Sequence, residues 1–169
     1  MPLELYRIDD RLIHGQVVVG WGRPLDIRFL VLVDDEVASS EWEQELYRMG
    51  VPPEMDVFFY AVDEAVAAHA RCADDRRPGI LLTGDIDTMR RLVDGVRVAD
   101  PAHGIGAVNL GGLHHRVGRV QRMRYVFLTE GEERELRDLA AHGVAVSAQD
   151  VPSARAVPLD EILSGRVGV

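Results

Sequence analysis

Cysteine is nearly absent from this chain, and long apolar runs are missing altogether. The single Cys72 excludes an internal disulfide framework and a cysteine-rich zinc module, and it fits a reducing compartment. Apolar stretches such as residues 29–33 have the length of a strand, far below the ~20 residues that a membrane helix needs. The first residues also lack a basic segment followed by an apolar run, so no targeting signal is expected. These absences predict a soluble, cytoplasmic protein.

Positive charge is also scarce. The chain has 19 Lys and Arg residues against 28 Asp and Glu residues, which gives a formal net charge of −9. This balance argues against a sequence-independent nucleic-acid binder, because such a protein needs a basic surface to neutralise phosphates. Hydrophobic residues make up 47% of the composition, which suffices for a buried core. A length of 169 residues predicts one domain over residues 1–169.

Short apolar runs alternate with segments of helical period along the whole chain. This pattern predicts an α/β fold with a single open doubly wound sheet, mostly parallel, of about seven strands with helices on both faces. The strands are expected at residues 3–9, 28–34, 56–61, 79–83, 105–110, 125–129 and 144–148. Helices are expected at residues 14–21, 63–72, 132–142 and 159–163, with others that end near residues 49 and 93. Residues 113–122 show no clear period.

Ligands of doubly wound sheets bind beyond the carboxyl ends of the strands, which directs attention to the loops at residues 9–15, 34–36, 83–85 and 110–116. In the first loop, His14 lies near the expected start of a helix. A neutral imidazole, with a usual pKa of about 6.5, is an available nucleophile at cytoplasmic pH. A helix N-terminus, the flexible Gly15 and the planar guanidinium of Arg11 all suit a phosphate bound beside it.

The two carboxylates of this loop extend the hypothesis. Asp9 or Asp10 could hydrogen-bond one ring nitrogen of His14 and so fix the tautomer, which leaves the other nitrogen free to attack. The same residues also admit a purely structural interpretation. In that interpretation His14 caps the turn from strand to helix, Asp10 caps the helix and Arg11 is a solvated charge. Spacing alone does not choose between the two.

A longer sequence pattern favours the catalytic interpretation of His14 over the structural one. Residues 7–17 read RIDDRLIHGQV, and further marker segments follow at residues 33–38, 109–119, 126–130 and 149–152. Together these segments resemble the IIB component of the mannose/fructose/sorbose family of the sugar phosphotransferase system (PTS). The matching segments occur in order and run over nearly the whole chain. An eleven-residue motif with four downstream markers is far more specific than a single glycine-rich triplet.

The resemblance implies a phosphoryl relay. A IIB protein of this family is a protein-Nπ-phosphohistidine–sugar phosphotransferase, which accepts a phosphoryl group from a phosphohistidine of a IIA protein through Nδ1 of its own histidine. It then passes the group to a sugar held by the membrane subunits IIC and IID. The family histidine corresponds to His14. The resemblance implies no metal or other cofactor, places the protein in the cytoplasm beside the membrane subunits, and permits a homodimer.

Roles for the neighbouring residues follow from this assignment. We expect Arg11 to contact the phosphate and Asp9 to orient the ring of His14. Further phosphate contacts are expected from Gly15, Gln16, Thr83 and Gly84. The side chain of Gln16 fits an exposed helix face equally well. The loop that follows Thr83 departs from the family pattern, which often has a bulky or basic residue with a proline, and its Asp85 and Asp87 would weaken phosphate binding if they faced inward.

Other motifs have weaker interpretations. The adjacent His114 and His115 suggest a metal pair, but sequence neighbours rarely bind one ion, so a solvated loop near a docking face is expected. A basic cluster over residues 116–124 (Arg116, Arg119, Arg122 and Arg124) either meets an acidic partner or balances nearby carboxylates; docking is slightly favoured. The Gly111–Gly112 pair lacks the context of a dinucleotide-binding fingerprint and is interpreted as a turn.

Two other functions remain open at this stage. A regulatory phospho-acceptor that reports the state of the relay, without transporting sugar, would use the same His14. A nucleotide-binding enzyme on the same fold is disfavoured, because no glycine-rich phosphate loop follows the first strand.

Overall fold

The computed structural model describes residues 3–165. Its strands are β1 Leu3–Ile8, β2 Phe29–Val33, β3 Asp56–Tyr60, β4 Gly79–Thr83, β5 Ala107–Leu110, β6 Val120–Met123, β7 Val126–Leu128, β8 Ala145–Ala148 and β9 Val157–Pro158. Its helices are α1 Asp35–Ala38, α2 Glu41–Met49, α3 Val62–Ala73, α4 Ile86–Ala99, α5 Glu130–Ala141 and α6 Leu159–Ser164. A π-helical turn covers Gln16–Trp21, and a 3₁₀ turn covers Pro101–His103.

Seven strands form one open sheet in the order β3-β2-β4-β1-β5-β8-β9. Every neighbouring pair is parallel except β8 and β9, which run antiparallel. The predicted fold class is therefore confirmed. Strands β2 and β4 are buried along their whole length, as expected for continuous apolar runs in a sheet that is covered on both sides.

Two hydrophobic clusters cover the two faces of the sheet. Along β2, the side chains of Phe29, Val31 and Val33 join one cluster, and those of Leu30 and Leu32 join the other. This alternation is the period of two that a strand imposes on its side chains. Helices α3 to α6 supply buried residues to the first cluster, while the π-helical turn and α1 supply them to the second. Helices therefore pack on both faces, as predicted.

The composition of the sheet differs from the prediction at two strands. Residues 125–129 were expected to form its sixth strand, but β7 instead pairs antiparallel with β6 in a separate two-stranded sheet. Residues 113–122, which show no period, contain the first three residues of β6. The seventh strand of the main sheet is β9, which sequence reasoning missed. A three-residue apolar run such as β7 carries no information about its partner, and the two residues of β9 are too few for a pattern.

The helices also differ in part. The helix expected at residues 14–21 begins only at Gln16 and is a π-helical turn, in which the backbone N–H of Gly22 donates to the carbonyl of Val17 at 2.8 Å. Helix α4 continues to Ala99, beyond the expected end near residue 93, and α1 was not expected. Nowhere in residues 3–165 does a helix combine the length and the apolar character that crossing a bilayer requires.

Strand β1 lies between β4 and β5, and this position determines where its loop goes. The backbone N–H of Asp9 donates to the carbonyl of Thr83 at 2.9 Å on one side. On the other side, the N–H of Asp10 donates to the carbonyl of Gly112 at 2.9 Å, and the N–H of Gly111 donates to that of Ile8 at 2.7 Å. The loops that follow three neighbouring strands therefore meet at the carboxyl edge of the sheet.

Candidate active site

His14 lies in the loop after β1, two residues before the π-helical turn. Its side chain is 19% exposed, and its Nε2 atom lies 3.4 Å from Oδ2 of Asp9. Within residues 3–165, Nε2 is shielded from solvent and makes no hydrogen bond of standard geometry. On the other side of the ring, the backbone N–H of Gln16 donates to Nδ1 at 3.3 Å. The exposed part of the ring therefore lies away from Nε2.

These contacts select one tautomer of His14. A backbone N–H can only donate, so in the neutral ring Nδ1 holds the lone pair and Nε2 holds the proton. The proton on Nε2 then faces the carboxylate of Asp9, which stabilises that tautomer. Asp9, which was expected to orient the ring, lies beside Nε2.

Asp9 is fully buried and surrounded by cationic or donating groups. Arg11 binds it in a bidentate arrangement, with Nε 3.1 Å from Oδ1 and Nη2 3.0 Å from Oδ2, and the backbone N–H of Arg11 adds a bond at 3.1 Å. Burial raises the pKa of Asp9, but the contacts with His14 and Arg11 outweigh burial and hold the pKa well below its usual range. Asp9 is therefore an anion at neutral pH.

Arg7 is a residue of the site that sequence reasoning did not assign. Its side chain is completely buried, and Nη2 lies 3.5 Å from Oδ2 of Asp9. Its guanidinium also donates to the side chain of Asn109 and to the carbonyls of Gln149, at 2.8 Å, and Asp150, at 3.3 Å. Burial lowers the pKa of Arg7, whereas Asp9 and Asp150 raise it. The sequence did contain a signal for Arg7. A charged residue inside a buried strand requires a partner of opposite charge, and Asp9, two positions further along, lies on the same face.

Gly111 allows this buried ion pair to exist. A Cβ atom at this position would lie 2.4 Å from Nη2 of Arg7 and 2.6 Å from Oδ2 of Asp9. Neither side chain has free space to move into, because both are fully buried and hydrogen-bonded. The glycine pair at residues 111–112 was interpreted as a turn, but its first member is required by a close approach of side chains.

We expect Gly111→Ala to lower the free energy of unfolding by roughly 1 to 3 kcal/mol, because the added methyl group overpacks the Arg7–Asp9 contact. Urea unfolding measures the change. Gly106→Ala is the matched control, since a Cβ atom there would meet nothing within 4 Å. A Gly111→Ala protein as stable as the Gly106→Ala protein would contradict this account of the site.

The guanidinium of Arg11 remains partly accessible. Its side chain is 37% exposed even though it binds Asp9. The bond between Arg11 and Asp9 raises the pKa of Arg11. The next residue, Leu12, has a φ of 58°, a left-handed conformation that is costly for a side chain with a Cβ atom. The chain between Arg11 and His14 is thus held in a strained turn.

The side chain of Gln16 has a different position from the one expected. Its amide donates to the carbonyl of Asp150 at 3.1 Å and to Oδ1 of Asp150 at 2.9 Å, so it is neither free for a phosphate nor simply solvated. Nε1 of Trp21 donates to the same carbonyl at 3.0 Å. Asp150 therefore fastens the π-helical turn to the loop after β8. The backbone N–H of Gln16, and not its amide, faces the His14 ring.

Thr83 and Gly84, the other two expected phosphate contacts, lie beside Asp9 and Leu12 of the loop after β1. The hydroxyl of the fully buried Thr83 donates to the carbonyl of Asp85 at 3.1 Å, so it serves the start of α4. A Cβ atom at Gly84 would lie 2.9 Å from Cδ2 of Leu12, so glycine is needed for the loop to pack there. The carboxylate of Asp85 caps α4 by accepting from the N–H of Thr88 at 2.7 Å. The carboxylate of Asp85 therefore stabilises the N-terminus of α4.

The basic cluster mostly balances carboxylates. Arg119 binds Glu132 in a bidentate arrangement at 3.0 and 2.8 Å. Arg122 donates to Glu133 at 2.6 Å, and Arg124 lies 3.4 Å from Oδ2 of Asp150. The two acidic partners on α5 sit beside the hairpin that carries the arginines. These pairs favour the balancing interpretation of the cluster over docking.

Comparison with known proteins decides the family. The family model described as the PTS system sorbose subfamily IIB component matches residues 3–167. The chain belongs to this IIB family. The IIB family comprises sugar phosphotransfer domains, so the general reaction class of this chain is phosphotransfer. The resemblance of residues 7–17 and of the downstream segments to such a IIB component is confirmed.

Individual members of the IIB family agree with this assignment. The PTS system sorbose-specific EIIB component of Klebsiella pneumoniae is 32% identical over 154 residues, covering 90% of this chain and 90% of that protein. The N-acetylgalactosamine-specific phosphotransferase enzyme IIB component 1 of Escherichia coli K12 is 33% identical over 152 residues, covering 88% and 90%. The crystal structure of manxB from Thermoanaerobacter tengcongensis has a TM-score of 0.83 at 31% identity and covers 96% of this chain and 95% of that one.

Proposed function

We propose that this chain is the phosphoryl carrier of a sugar transport system, with Nδ1 of His14 as the atom that carries the group. In this proposal a IIA protein donates the phosphoryl group from its own phosphohistidine. The membrane subunits IIC and IID hold the sugar that receives it. The observation that supports the proposal most directly is the ring geometry, in which Nε2 faces a buried anion and Nδ1 holds the lone pair.

The first transfer needs positioning and charge stabilisation, and no cofactor is involved. Nδ1 of His14 attacks phosphorus, and the P–N bond of the donor breaks with its electron pair returning to the donor ring. The imidazole of His14 becomes an imidazolium that keeps its proton on Nε2, 3.4 Å from the carboxylate of Asp9. Because the contacts with His14 and Arg11 keep Asp9 ionised, that carboxylate stabilises the positive ring.

Two neighbouring groups suit the phosphoryl oxygens. When phosphorus bonds to Nδ1, the N–H of Gln16 loses its ring acceptor and can donate to an oxygen instead. The exposed third of the Arg11 side chain supplies a second, charged donor. Gly15 has open space around its Cα, since a Cβ atom there would meet nothing within 4 Å. The proposal assigns that space to the phosphoryl group.

A transfer assay tests the proposal. The purified chain is mixed with a phosphorylated IIA protein of the same family, and then with membranes that contain the matching IIC and IID subunits and a radiolabelled sugar. Sorbose and N-acetylgalactosamine, the sugars in the names of two relatives, are tried first. The account predicts that label moves to the chain and then leaves with the sugar. Label that reaches the chain and never leaves would instead indicate the regulatory phospho-acceptor.

Gly15→Ala tests the assigned space. The residue has helical dihedral angles (φ −53°, ψ −39°), so alanine fits the fold and stabilises it by about 0.4 to 1 kcal/mol through the unfolded state. We expect the same substitution to slow phosphoryl transfer to His14, because the methyl group takes the space of the phosphoryl oxygens. Stopped-flow transfer and urea unfolding measure the two effects. Transfer at the wild-type rate would show that this space is not used.

A further inference from the structure

A second imidazole, that of His114, lies beside Arg11 and has no role in the transfer from the IIA protein to His14. Nδ1 of His114 lies 2.6 Å from Oδ1 of Asp10, and the backbone N–H of His114 donates to Oδ2 of the same carboxylate at 2.7 Å. The side chain of Asp10 is only 9% exposed, whereas that of His114 is 56% exposed. The carboxylate is thus occupied by His114, and the imidazole extends into solvent.

This arrangement determines which nitrogen of His114 is free. A carboxylate only accepts hydrogen bonds, so Nδ1 of His114 carries the proton and Nε2 holds a lone pair in the neutral ring. No hydrogen bond to Nε2 is formed within residues 3–165. A carboxylate behind Nδ1 with a free Nε2 is the arrangement by which an aspartate orients a histidine that acts as a general base. His114 has the orientation of a base.

Hydrogen bonds on both sides fix the backbone of His114. Nη1 of Arg119 donates to the carbonyl of His114 at 2.7 Å, and the rest of that guanidinium is fixed by Glu132 at the start of α5. Arg119 itself is buried. The backbone of His114 is therefore held from both sides, by Asp10 and by Arg119. Catalytic groups need such fixed positions to be effective.

His114 also lies next to the phosphate-contacting residue. A Cβ atom at Gly112 would lie 3.0 Å from Cε1 of His114 and 3.3 Å from Nη2 of Arg11, so the two side chains flank one glycine. Nη2 of Arg11 and Nε2 of His14 both contact Oδ2 of Asp9, at 3.0 and 3.4 Å. His114 therefore lies beside Arg11, and Arg11 shares the carboxylate of Asp9 with His14.

Resting on the proposed function, we infer that His114 is the general base of the second transfer, from His14 to the sugar. Transfer between two imidazoles releases no proton, but transfer to a hydroxyl does. The O–H bond of the sugar breaks and its proton moves to Nε2 of His114. The oxygen bonds to phosphorus, and the P–Nδ1 bond of His14 breaks with its electron pair returning to Nδ1. His114 then releases the proton to water.

The other groups of the site are occupied. Asp9 is buried and bound by Arg11 and Arg7, and both oxygens of Asp10 are taken by His114. Nδ1 of His14 is the leaving atom in this step. The neighbouring His115 packs its ring edge-on against Phe127, with 5.8 Å between the ring centroids, and makes no contact with a carboxylate in residues 3–165. Among the side chains of the site within residues 3–165, His114 is the one that combines an orienting carboxylate with a free ring nitrogen.

Single-turnover measurements of the transfer to His14 and of the transfer from His14 to the sugar distinguish a general base from a residue that only stabilises the structure. We expect His114→Gln to slow transfer from phosphorylated His14 to the sugar about 100-fold, the lower range for loss of a general base, relative to transfer from the IIA protein. Asp10→Asn is the conservative variant. Its amide donates to Nδ1 of His114, which moves the ring proton to Nε2 and removes the base while both contacts persist. We expect the same selective loss.

His115→Gln is the matched control and should change neither transfer. Added imidazole should restore sugar phosphorylation in a His114→Ala protein. If His114→Gln slowed both transfers equally, His114 would have only a structural role. If the His114→Gln protein transferred the phosphoryl group to sugar at the wild-type rate, the base would lie elsewhere. Either result overturns this inference but leaves the proposed function intact. A wild-type chain that takes no phosphoryl group from any IIA protein would overturn the proposed function and this inference together.

Discussion

Replacing His14 with alanine is expected to abolish phosphorylation of the chain. The substitution removes the ring whose Nδ1 accepts from the backbone of Gln16 while its Nε2 faces Asp9. No other nucleophile in residues 3–165 has that arrangement. The fold should persist, because the side chain is partly exposed and belongs to neither hydrophobic cluster. Incubation with a phosphorylated IIA protein, followed by electrophoresis at high pH, where phosphohistidine survives, measures the label.

His142→Gln is the control for this experiment. The side chain of His142 is exposed, and within residues 3–165 its one hydrogen bond joins Nδ1 to the carbonyl of Asp138, so its loss should leave the label unchanged. A His14→Ala protein that is labelled as fully as wild type would remove His14 from the mechanism.

Asp9→Asn is expected to destabilise the protein by about 3 to 5 kcal/mol, the range for breaking a buried ion pair by removing one partner. The neutral amide leaves the buried guanidinium of Arg7 without its carboxylate, although the carbonyls of Gln149 and Asp150 still accept from it. Transfer to His14 should also slow strongly, because the imidazolium loses its counter-ion. Asp26→Asn, at an exposed pair with Arg28, should cost less than about 1 kcal/mol.

The stability difference between wild type and Asp9→Asn should depend on pH. The folded-state pKa of Asp9 lies well below the unfolded value of about 3.9. A depressed carboxyl pKa contributes stability that is fully present above the unfolded pKa and is lost as the pH falls toward the folded pKa. The difference should therefore be constant from about pH 7 to pH 5 and shrink in more acidic solution. A difference that did not shrink down to about pH 2 would contradict the ionised state of Asp9.

The strands of the sheet were predictable where burial leaves a pattern. Strands β2 and β4 are covered on both faces, so their residues are apolar without interruption. β7 has the same apolar character in three residues, yet it pairs with β6 outside the sheet. The pairing partner of so short a run is decided by tertiary contacts. The π-helical turn was not predictable either, because its hydrogen-bond spacing leaves no trace in the residue types.

The site was predictable in its local part only. His14, Arg11 and Asp9 lie within six consecutive residues, so the motif placed them together and the structure brings them into contact. The contact of Gln16 with Asp150 spans 134 positions along the chain, and no local pattern announces it. Asp10 was expected to serve His14 or a helix end, but it binds His114, 104 positions away. Such distant partners can be identified only once the order of the strands in the sheet is known, because that order decides which loops lie side by side.

The most direct test of the central claim is to identify the phosphorylated atom. The chain is labelled with ¹⁵N at its histidines and phosphorylated by a IIA protein, and the ring nitrogens are observed by NMR, where coupling to phosphorus marks the bonded nitrogen. The account predicts one modified ring, His14, with phosphorus on Nδ1 and the proton retained on Nε2. Phosphorus on Nε2 of His14, or on any other residue, would contradict it.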